Sequence, residues 1–259
     1  MAEKDAASSS SLVNCLMLVT WPQRRQMVQD AIVSYVQQEH TNRTLTVVND
    51  GDPCELSAAF AASGCRGRVL HVRAGATIGE KRNAGAAAEP GAAFIASFDD
   101  DDFSLPSRLR LQVARMGPEQ LWLSASRKFI ALHECNNVVG FELGRCYGAG
   151  MMGSEVLRVV QWPHVSYCED HRLYAAARRH PRFASSAFVE ADDLVYVHRR
   201  HETNVSAARR SDLWQGVLPL PLGGTDAVRG AEEVRRMLAT ASNAEEYLGA
   251  ATAASVAVN

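Results

Sequence analysis

The 259-residue sequence lacks long apolar runs and an excess of basic residues. No apolar stretch approaches the roughly 20 residues that a membrane-spanning helix needs, so we expect no integral membrane segment. Residues 1–11 are polar and serine-rich, without the basic start and apolar stretch of a signal peptide. The formal net charge of −2 does not favour a nucleic-acid partner, because such proteins usually carry a strongly basic face. We therefore expect a cytoplasmic location and no nucleic-acid binding.

The sequence also lacks paired cysteines. Its six cysteines are scattered and none forms a C-x-x-C pair, so a zinc knuckle is not expected. Several lie in apolar runs, as Cys15 does, and we interpret them as buried reduced thiols. Apolar residues make up 47% of the chain, which is enough for a substantial core.

In the first half of the chain, segments with strand and helix patterns alternate. Strands are predicted at Leu12–Val19, Thr44–Val48, Arg68–Val72 and Ala93–Phe98, and helices at Gln23–Gln38 and Ile78–Ala88. This alternation predicts an α/β fold, with a mostly parallel sheet flanked by helices in a single domain. Ligands bind such sheets at the carboxyl ends of the strands, where the turn Asn49–Asp52 and the run Asp99–Asp102 fall.

The second half is less regular. Apolar spacing after Pro106 predicts a helix through Leu109, Val113 and Met116. Further expected elements are strands at Leu121–Ala125, Phe129–Leu132 and Leu194–His198, a loop at Gly148–Gly150, a helix at Glu169–Arg179 and an alanine-rich helical segment beyond Leu220.

The four adjacent aspartates Asp99–Asp102, named here the acidic run, follow an apolar strand. Two unit charges about 4 Å apart repel by roughly 4 kcal/mol at an effective dielectric constant near 20, so the run needs either full solvation or a cation. Magnesium and manganese prefer oxygen ligands, and magnesium completes its shell with water and substrate phosphate. The alternative is a solvated acidic turn that favours the dipole of the following helix.

Read in order, six segments between about Asn14 and Ser206 resemble family 2 glycosyltransferases, which have the GT-A fold and invert the anomeric centre. The resemblance is carried by VVNDGD at Val47–Asp52, GEKRNAG at Gly79–Gly85, FIASFDDDDFSLPSRL at Phe94–Leu109, GAGM at Gly148–Met151, CEDHRL at Cys168–Leu173 and RRHETNVS at Arg199–Ser206. These correspond to the family's V-D-D-G-S turn, A-R-N-x-G helix start, D-x-D strand end, acceptor-side loop, E-D-x-x-L motif and R-x-H-x-x-N-x-S loop.

On the donor side, the resemblance implies that Asp50 and Thr20 contact the nucleotide base and that Arg82 contacts phosphate or ribose. It implies a metal site for Mn²⁺ or Mg²⁺, with Asp101 as the main ligand. Asp99 lies at the metal or the ribose, and Asp100 on the nucleotide side. Asp102 is either a second metal contact or a charge at the start of the following helix.

On the catalytic side, the resemblance implies Asp170 as general base, with Glu169 structural or assisting acceptor binding. An inverting transfer needs a carboxylate that removes the proton of the acceptor hydroxyl. His201 is expected at the metal or the diphosphate. Arg199 and Arg200 are expected to neutralise the departing nucleoside diphosphate, whose charge grows in the transition state.

The sequence departs from the family pattern at two places. Asn49 stands where the family has the first aspartate of V-D-D-G-S, and Asp52 replaces its serine. The family's P-x-Y-N after the first strand is here Val19-Thr20-Trp21-Pro22. A UDP-sugar is favoured as donor, although the Asn49 change leaves ribose and base contacts open.

The predicted function is a metal-dependent inverting glycosyltransferase of the hexosyl- or N-acetylhexosaminyl-transferase class, acting in glycan biosynthesis. It would move a sugar from a nucleoside-diphosphate sugar to a hydroxyl acceptor such as a glycan. The alternatives are a non-catalytic nucleotide-sugar-binding relative and a GT-A-like nucleotidyltransferase. The expected division is a disordered tail at 1–11, a GT-A domain at 12–216 with a donor half at 12–116 and an acceptor half at 117–216, and a helical extension at 217–259.

Overall fold

The computed structural model describes residues 11–53, 55–116, 124–133, 138–181, 190–191, 196–201 and 218–220. Its strands are β1 Val13–Val19, β2 Arg43–Asn49, β3 Gly67–His71, β4 Phe94–Ser97, β5 Phe103–Ser104, β6 Ser124–His133, β7 Val138–Gly153, β8 Glu190–Ala191, β9 Tyr196–Arg200 and β10 Leu218–Leu220. Its helices are α1 Arg25–Val36, α2 Leu56–Ala62, α3 Ile78–Ala87, α4 Arg108–Met116, α5 Ser154–Leu157 and α6 Glu169–Arg179.

One mixed sheet joins these strands. Eight of them follow in the order β3-β2-β1-β4-β7-β6-β9-β5, while β10 pairs with β7 and β8 pairs with β6. Strands β3, β2, β1 and β4 are mutually parallel, as the alternation of strands and helices predicted. Strand β7 runs antiparallel to both β4 and β6, and β5 runs antiparallel to β9. The fold is therefore a single α/β domain with a mostly parallel sheet flanked by helices.

Alternate residues of β1 supply the two faces of the sheet, because successive strand side chains point to opposite sides. Cys15 and Met17 join the larger core with side chains from α1, α2 and α4. Leu16 joins the smaller core with Trp162 and with Leu173 of α6. Both faces are covered, which is why β1 is apolar at nearly every position.

Two expectations from the sequence need correction, and one helix had not been assigned. Gly148–Gly150 lies inside β7 instead of forming a loop, since small residues in a strand need not break it. The segments Leu121–Ala125 and Phe129–Leu132 do not form two strands: within the described residues, Ser124–His133 is one strand, whose register shifts near Ser126. Helix α2 at Leu56–Ala62 had no assigned segment, because it buries only Leu56 and Phe60 and is too short to show a helical period.

The predicted tail at residues 1–11 lies outside the described residues except for Ser11, and the extension at 217–259 lies outside except for Leu218–Leu220. Within the part of the chain that the structure describes, no helix is both long enough and apolar enough to span a bilayer.

Candidate active site

The candidate site lies where the carboxyl ends of β1, β2 and β4 meet at one edge of the sheet. Thr20 follows β1, Asp50 follows β2, and the acidic run begins two residues after β4. Strand β5 begins directly after the acidic run and pairs with β9, which carries His198 and Arg199. The parallel pairing of β1, β2 and β4 therefore assembles the donor side. The pairing of β5 with β9 brings the start of the RRHETNVS segment beside it.

A buried ion pair fixes Asp50 at the end of β2. Its Oδ1 accepts hydrogen bonds from Thr20 Oγ1 at 2.7 Å and from Lys81 Nζ at 3.0 Å. The side chains of Lys81 and Asp50 are only 8% and 9% exposed. The structure thus brings together the two predicted base contacts and adds Lys81. The sequence signal for Lys81 was its place beside Arg82 in the GEKRNAG segment.

The turn after β2 explains why asparagine stands at position 49. Asn49 Nδ2 donates to the carbonyls of Gly51 and Asp52, while Oδ1 accepts from the backbone N–H groups of Trp21 and Gly51. A carboxylate cannot donate, so aspartate would lose half of these bonds. Gly51 is required there because a Cβ would lie 2.2 Å from the carbonyl oxygen of Trp21.

Arg24 lies against the acidic run. Its Nη1 donates to Asp100 Oδ1 at 3.1 Å and to Asp101 Oδ2 at 2.8 Å. The same Asp101 Oδ2 lies 3.1 Å from His201 Nε2. The predicted metal ligands Asp101 and His201 are therefore in direct contact. Arg24, which the sequence did not indicate as a site residue, lies beside them.

Asp102 is held entirely by the β9 side of the sheet. Its carboxylate accepts the Tyr196 hydroxyl, the backbone N–H of Arg199 at 2.6 Å, and faces His198 Nδ1 at 3.1 Å. Burial opposes ionisation, but the charge and hydrogen bond of His198 outweigh it, together with the other two donors, so the pKa of Asp102 is lowered. These contacts favour neither the metal contact nor the helix-start charge predicted for Asp102. They connect β9 to the acidic run.

Asp99 and Asp100 lie in a different electrostatic environment. Burial, with repulsion from Asp102 and Asp101, raises the pKa of Asp99 to about 7 against the attraction of Arg82. Burial, with repulsion from Asp101 and Asp99, raises the pKa of Asp100 to about 8 against the attraction of Arg24. The acidic run is not a solvated turn, and added positive charge would stabilise its ionised form.

The donor atoms at Asp101 fit a hard divalent cation. Asp101 Oδ2 and His201 Nε2 lie at the hydrogen-bond distance of 3.1 Å. Two adjacent ligands in an octahedral shell of about 2.1 Å radius are about 3.0 Å apart, so these two atoms need to move little to share an ion. Among the residues that the structure describes, no group of three or more His, Cys, Asp or Glu side chains is arranged to hold a metal ion by itself. The arrangement suits an ion that takes its remaining ligands from water and substrate phosphate.

Arg82 joins the acidic run to the predicted catalytic pair. From α3, its Nη1 donates to Ser97 Oγ, and its Nη2 lies 3.5 Å from Asp99 Oδ1 and 3.1 Å from Asp170 Oδ2. Its Nε lies 3.5 Å from Glu169 Oε1. The side chain is 5% exposed, and burial disfavours the charge, but the three carboxylates outweigh it, so the pKa of Arg82 is raised. Arg82 is therefore a permanent cation between the two halves of the site.

Asp170, at the start of α6, is oriented through both of its oxygens. Oδ1 accepts from Trp162 Nε1 at 2.9 Å, and Oδ2 faces Arg82. Trp162 is itself fixed to α3, since its N–H donates to Asn83 Oδ1 at 3.1 Å and its carbonyl accepts from Asn83 Nδ2 at 2.8 Å. The neighbouring Glu169 is buried, and burial with repulsion from Asp170 raises its pKa despite Arg82. The two adjacent carboxyl groups thus have different environments.

Arg199 is directed toward α1. Its Nη1 lies 3.1 Å from Asp30 Oδ2, its guanidinium stacks on Phe103, and its side chain is 5% exposed. These contacts do not bring its guanidinium to the acidic run, so its predicted contact with the diphosphate stays a prediction. The side chain of Arg200 lies outside the described residues.

The GAGM segment meets the donor side through Gly148. A Cβ at this position would lie 2.7 Å from Asp99 Oδ2 and 2.9 Å from the Tyr196 hydroxyl. A side chain at this position would require the ends of the Asp99 and Tyr196 side chains to shift. The resemblance placed this segment on the acceptor side, and the structure places it against Asp99.

Several residues of the site were not found from the sequence, namely Arg24, Lys81, Trp162, Tyr196 and His198. Arg24 lies near the start of the predicted helix Gln23–Gln38, and Trp162 lies in a segment without a recognisable pattern. The roles of both residues depend on contacts with distant parts of the chain. Tyr196 and His198 lay within a predicted strand, where alternation could have indicated that they share one face.

No family model matches this sequence, and no curated protein matches it. Solved structures do match. Residues 1–349 of TarS from S. aureus align with a TM-score of 0.52 and 10% identity over 72% of this chain and 60% of theirs. The same protein in complex with UDP-GlcNAc aligns with a TM-score of 0.52 and 10% identity over 76% and 60%.

A mannosyltransferase, PcManGT from Pyrobaculum calidifontis in complex with GDP-Man and Mn²⁺, aligns with a TM-score of 0.55 and 11% identity over 87% of this chain and 60% of its own. The chain thus spans about 60% of the length of each of these structures. At these identities the likeness defines the fold, which is the GT-A-like fold of these glycosyltransferases.

Proposed function

We propose that this protein is a glycosyltransferase that uses a nucleoside-diphosphate sugar, with a UDP-sugar favoured, and transfers a hexosyl or N-acetylhexosaminyl group to a hydroxyl of a glycan. The observation that carries the proposal is Arg82, which links the acidic run to Asp170 within 3.5 Å on each side. A donor-side acidic cluster and a separate oriented carboxylate are what a sugar transfer needs. The complexes with UDP-GlcNAc and GDP-Man among the matching structures support the substrate class.

The proposed reaction is a single displacement with inversion. The acceptor oxygen attacks the anomeric carbon, the bond from that carbon to the diphosphate oxygen breaks, and the hydroxyl proton passes to Asp170. Trp162 and Arg82 hold the carboxylate in one orientation, so little reorganisation is needed when the proton moves. Glu169 is proposed to be structural or to assist acceptor binding.

On the donor side, Thr20 and Asp50 are proposed to contact the base, with Lys81 holding Asp50 in place. Asp101, Asp99 and His201 are the residues that would hold Mn²⁺ or Mg²⁺. Such an ion would supply Lewis-acid stabilisation of the charge that grows on the leaving diphosphate. Asp100 is proposed to lie on the nucleotide side, and Arg199 and Arg200 near the diphosphate.

The donor half at 12–116 and the acceptor half at 117–216 stay part of the proposal. Within the described residues, β1 to β4 and α1 to α4 belong to the donor half, and Asp170 belongs to the acceptor half. The halves meet where Gly148 passes beside Asp99 and where Arg82 contacts Asp170.

Thermal-shift screening of UDP- and GDP-sugars with Mn²⁺ or Mg²⁺ tests the proposal. A ligand that binds only the folded state raises the apparent stability by mass action, so the true donor should raise the melting temperature most. Asp170→Asn should keep this shift and lose turnover, because it retains shape but not the base. A donor that binds without any turnover by the wild type would support a non-catalytic binder, and pyrophosphate release would support a nucleotidyltransferase.

A further inference from the structure

Arg24 places a positive charge on the oxygen atoms where the divalent cation is proposed to bind. Its Nη1 is 2.8 Å from Asp101 Oδ2 and 3.1 Å from Asp100 Oδ1. Asp101 Oδ2 is also the oxygen that faces His201 Nε2 at 3.1 Å. The guanidinium therefore contacts one of the two atoms whose spacing fits a metal shell.

Two cations cannot share one carboxylate oxygen at these distances without strong repulsion. A divalent ion on Asp101 Oδ2 would lie within a few ångströms of Nη1, where like charges interact strongly in a partly buried site. We therefore expect a divalent ion bound at Asp101 to weaken the contact between the guanidinium and this carboxylate.

The basic side chains that contact the carboxylates of the site differ in solvent exposure. The most exposed of them can move away from its carboxylates most easily. The side chain of Arg24 is 24% exposed, against 8% for Lys81 and 5% for Arg82. Arg24 precedes α1 directly and makes no side-chain cap to that helix. Lys81 and Arg82 are buried residues of α3, so we expect Lys81 to stay with Asp50 and Arg82 with Asp99 and Asp170.

We propose that Arg24 is an internal counter-ion of the acidic run, which a divalent cation displaces when it binds at Asp101. This inference rests on the metal site of the proposed function and specifies how that site is regulated. Arg24 stabilises the metal-free protein by compensating Asp100 and Asp101. It also weakens metal affinity, since the binding energy of the ion includes the loss of the arginine contacts.

The test is calorimetric titration of Mn²⁺ alone into the wild type, Arg24→Gln, Arg24→Lys and the control Arg110→Gln. Arg110 forms an exposed ion pair with Glu39 and does not contact the acidic run. We expect Arg24→Gln to bind Mn²⁺ about tenfold more tightly, which corresponds to about 1.4 kcal/mol. Arg24→Lys keeps the charge and should lie within about threefold of the wild type, and Arg110→Gln should match the wild type.

Thermal unfolding in chelator provides the second measurement. Metal-free Arg24→Gln should melt at a lower temperature than the wild type, and saturating Mn²⁺ should raise its melting temperature by more than it raises that of the wild type. Equal Mn²⁺ affinities for the wild type and Arg24→Gln, weaker binding by Arg24→Gln, or no binding by either protein would overturn the inference.

The variant Asp101→Asn separates this inference from the proposed function. If Asp101→Asn loses Mn²⁺ binding while Arg24→Gln matches the wild type, the metal site stands and the role of Arg24 fails. If Asp101→Asn binds Mn²⁺ as the wild type does, the metal site itself is wrong and the inference fails with it.

Discussion

At the residue scale, the site depends on a few buried side chains whose partners lie far along the chain. Arg82 of α3 contacts Asp99 and Asp170, and Asp102 is bound by Tyr196 and Arg199. Buried charges are tolerated when they are paired and hydrogen-bonded, and each of these groups has such partners. The chemistry of the site is therefore set by individual contacts across the sheet edge.

Trp162 is a positioning residue for Asp170, so Trp162→Phe should lower kcat for sugar transfer by roughly tenfold, the scale of one lost hydrogen bond to a charged group. The KM for the donor should change little, because the lost bond lies on the side of the base. Steady-state kinetics with varied donor measure both constants. An unchanged kcat would mean that Trp162 serves packing alone.

The raised pKa values of Asp99, about 7, and Asp100, about 8, predict an unusual pH dependence of stability. In the unfolded chain both carboxyl groups have the ordinary pKa near 4. At a pH between about 4 and these raised pKa values, the folded protein therefore binds more protons than the unfolded chain. The free energy of unfolding of the metal-free protein should therefore fall as pH rises from about 4 to about 8. Glu169, whose pKa is also raised, acts in the same direction.

Urea unfolding in chelator across this pH range measures that slope. Asp100→Asn removes one of the titrating groups and should flatten it. Excess Mn²⁺ should also flatten it, because a bound cation favours the ionised carboxylates. A stability that rises steadily toward pH 8 in the metal-free protein would contradict the electrostatic account of the acidic run.

At the scale of elements, β7 passes close beside the acidic run at Gly148. Gly148→Ala would place a methyl group within 3 Å of Asp99 and Tyr196, so we expect a folded protein with at least tenfold lower transfer activity. Gly91→Ala is the matched control, since a Cβ there meets only the end of the Glu89 side chain at 3.9 Å. Equal activities of the two variants in a transfer assay would show that β7 does not constrain Asp99.

Some helices and strands could be predicted from the sequence and others could not. The β1–β4 strands and α3 and α6 were predictable within a few residues, because apolar runs and helical composition are local signals. The strand at Gly148–Gly150 was mistaken for a loop, because small residues indicate either a turn or a close approach. Which of the two applies depends on Asp99 and Tyr196, which are distant in sequence.

At the scale of the whole molecule, the GT-A-like fold was predictable from the order of motifs, whereas the pairing of charges was not. The sequence indicated that Asp50, the acidic run and Asp170 belong to one site. It could not indicate that Arg24 donates a hydrogen bond to Asp101, Lys81 to Asp50 and Trp162 to Asp170. Those contacts depend on how the loop after β1, α3 and α6 pack at one sheet edge.

In the proposed function, sugar transfer depends on Asp101 of the acidic run. The most direct measurement is the release of nucleoside diphosphate from a panel of UDP- and GDP-sugars with Mn²⁺, comparing the wild type with Asp101→Ala. We predict that the wild type releases nucleoside diphosphate from one donor, and that Asp101→Ala loses both transfer and donor hydrolysis. Full activity in Asp101→Ala, or no release from any donor by the wild type, would contradict the account.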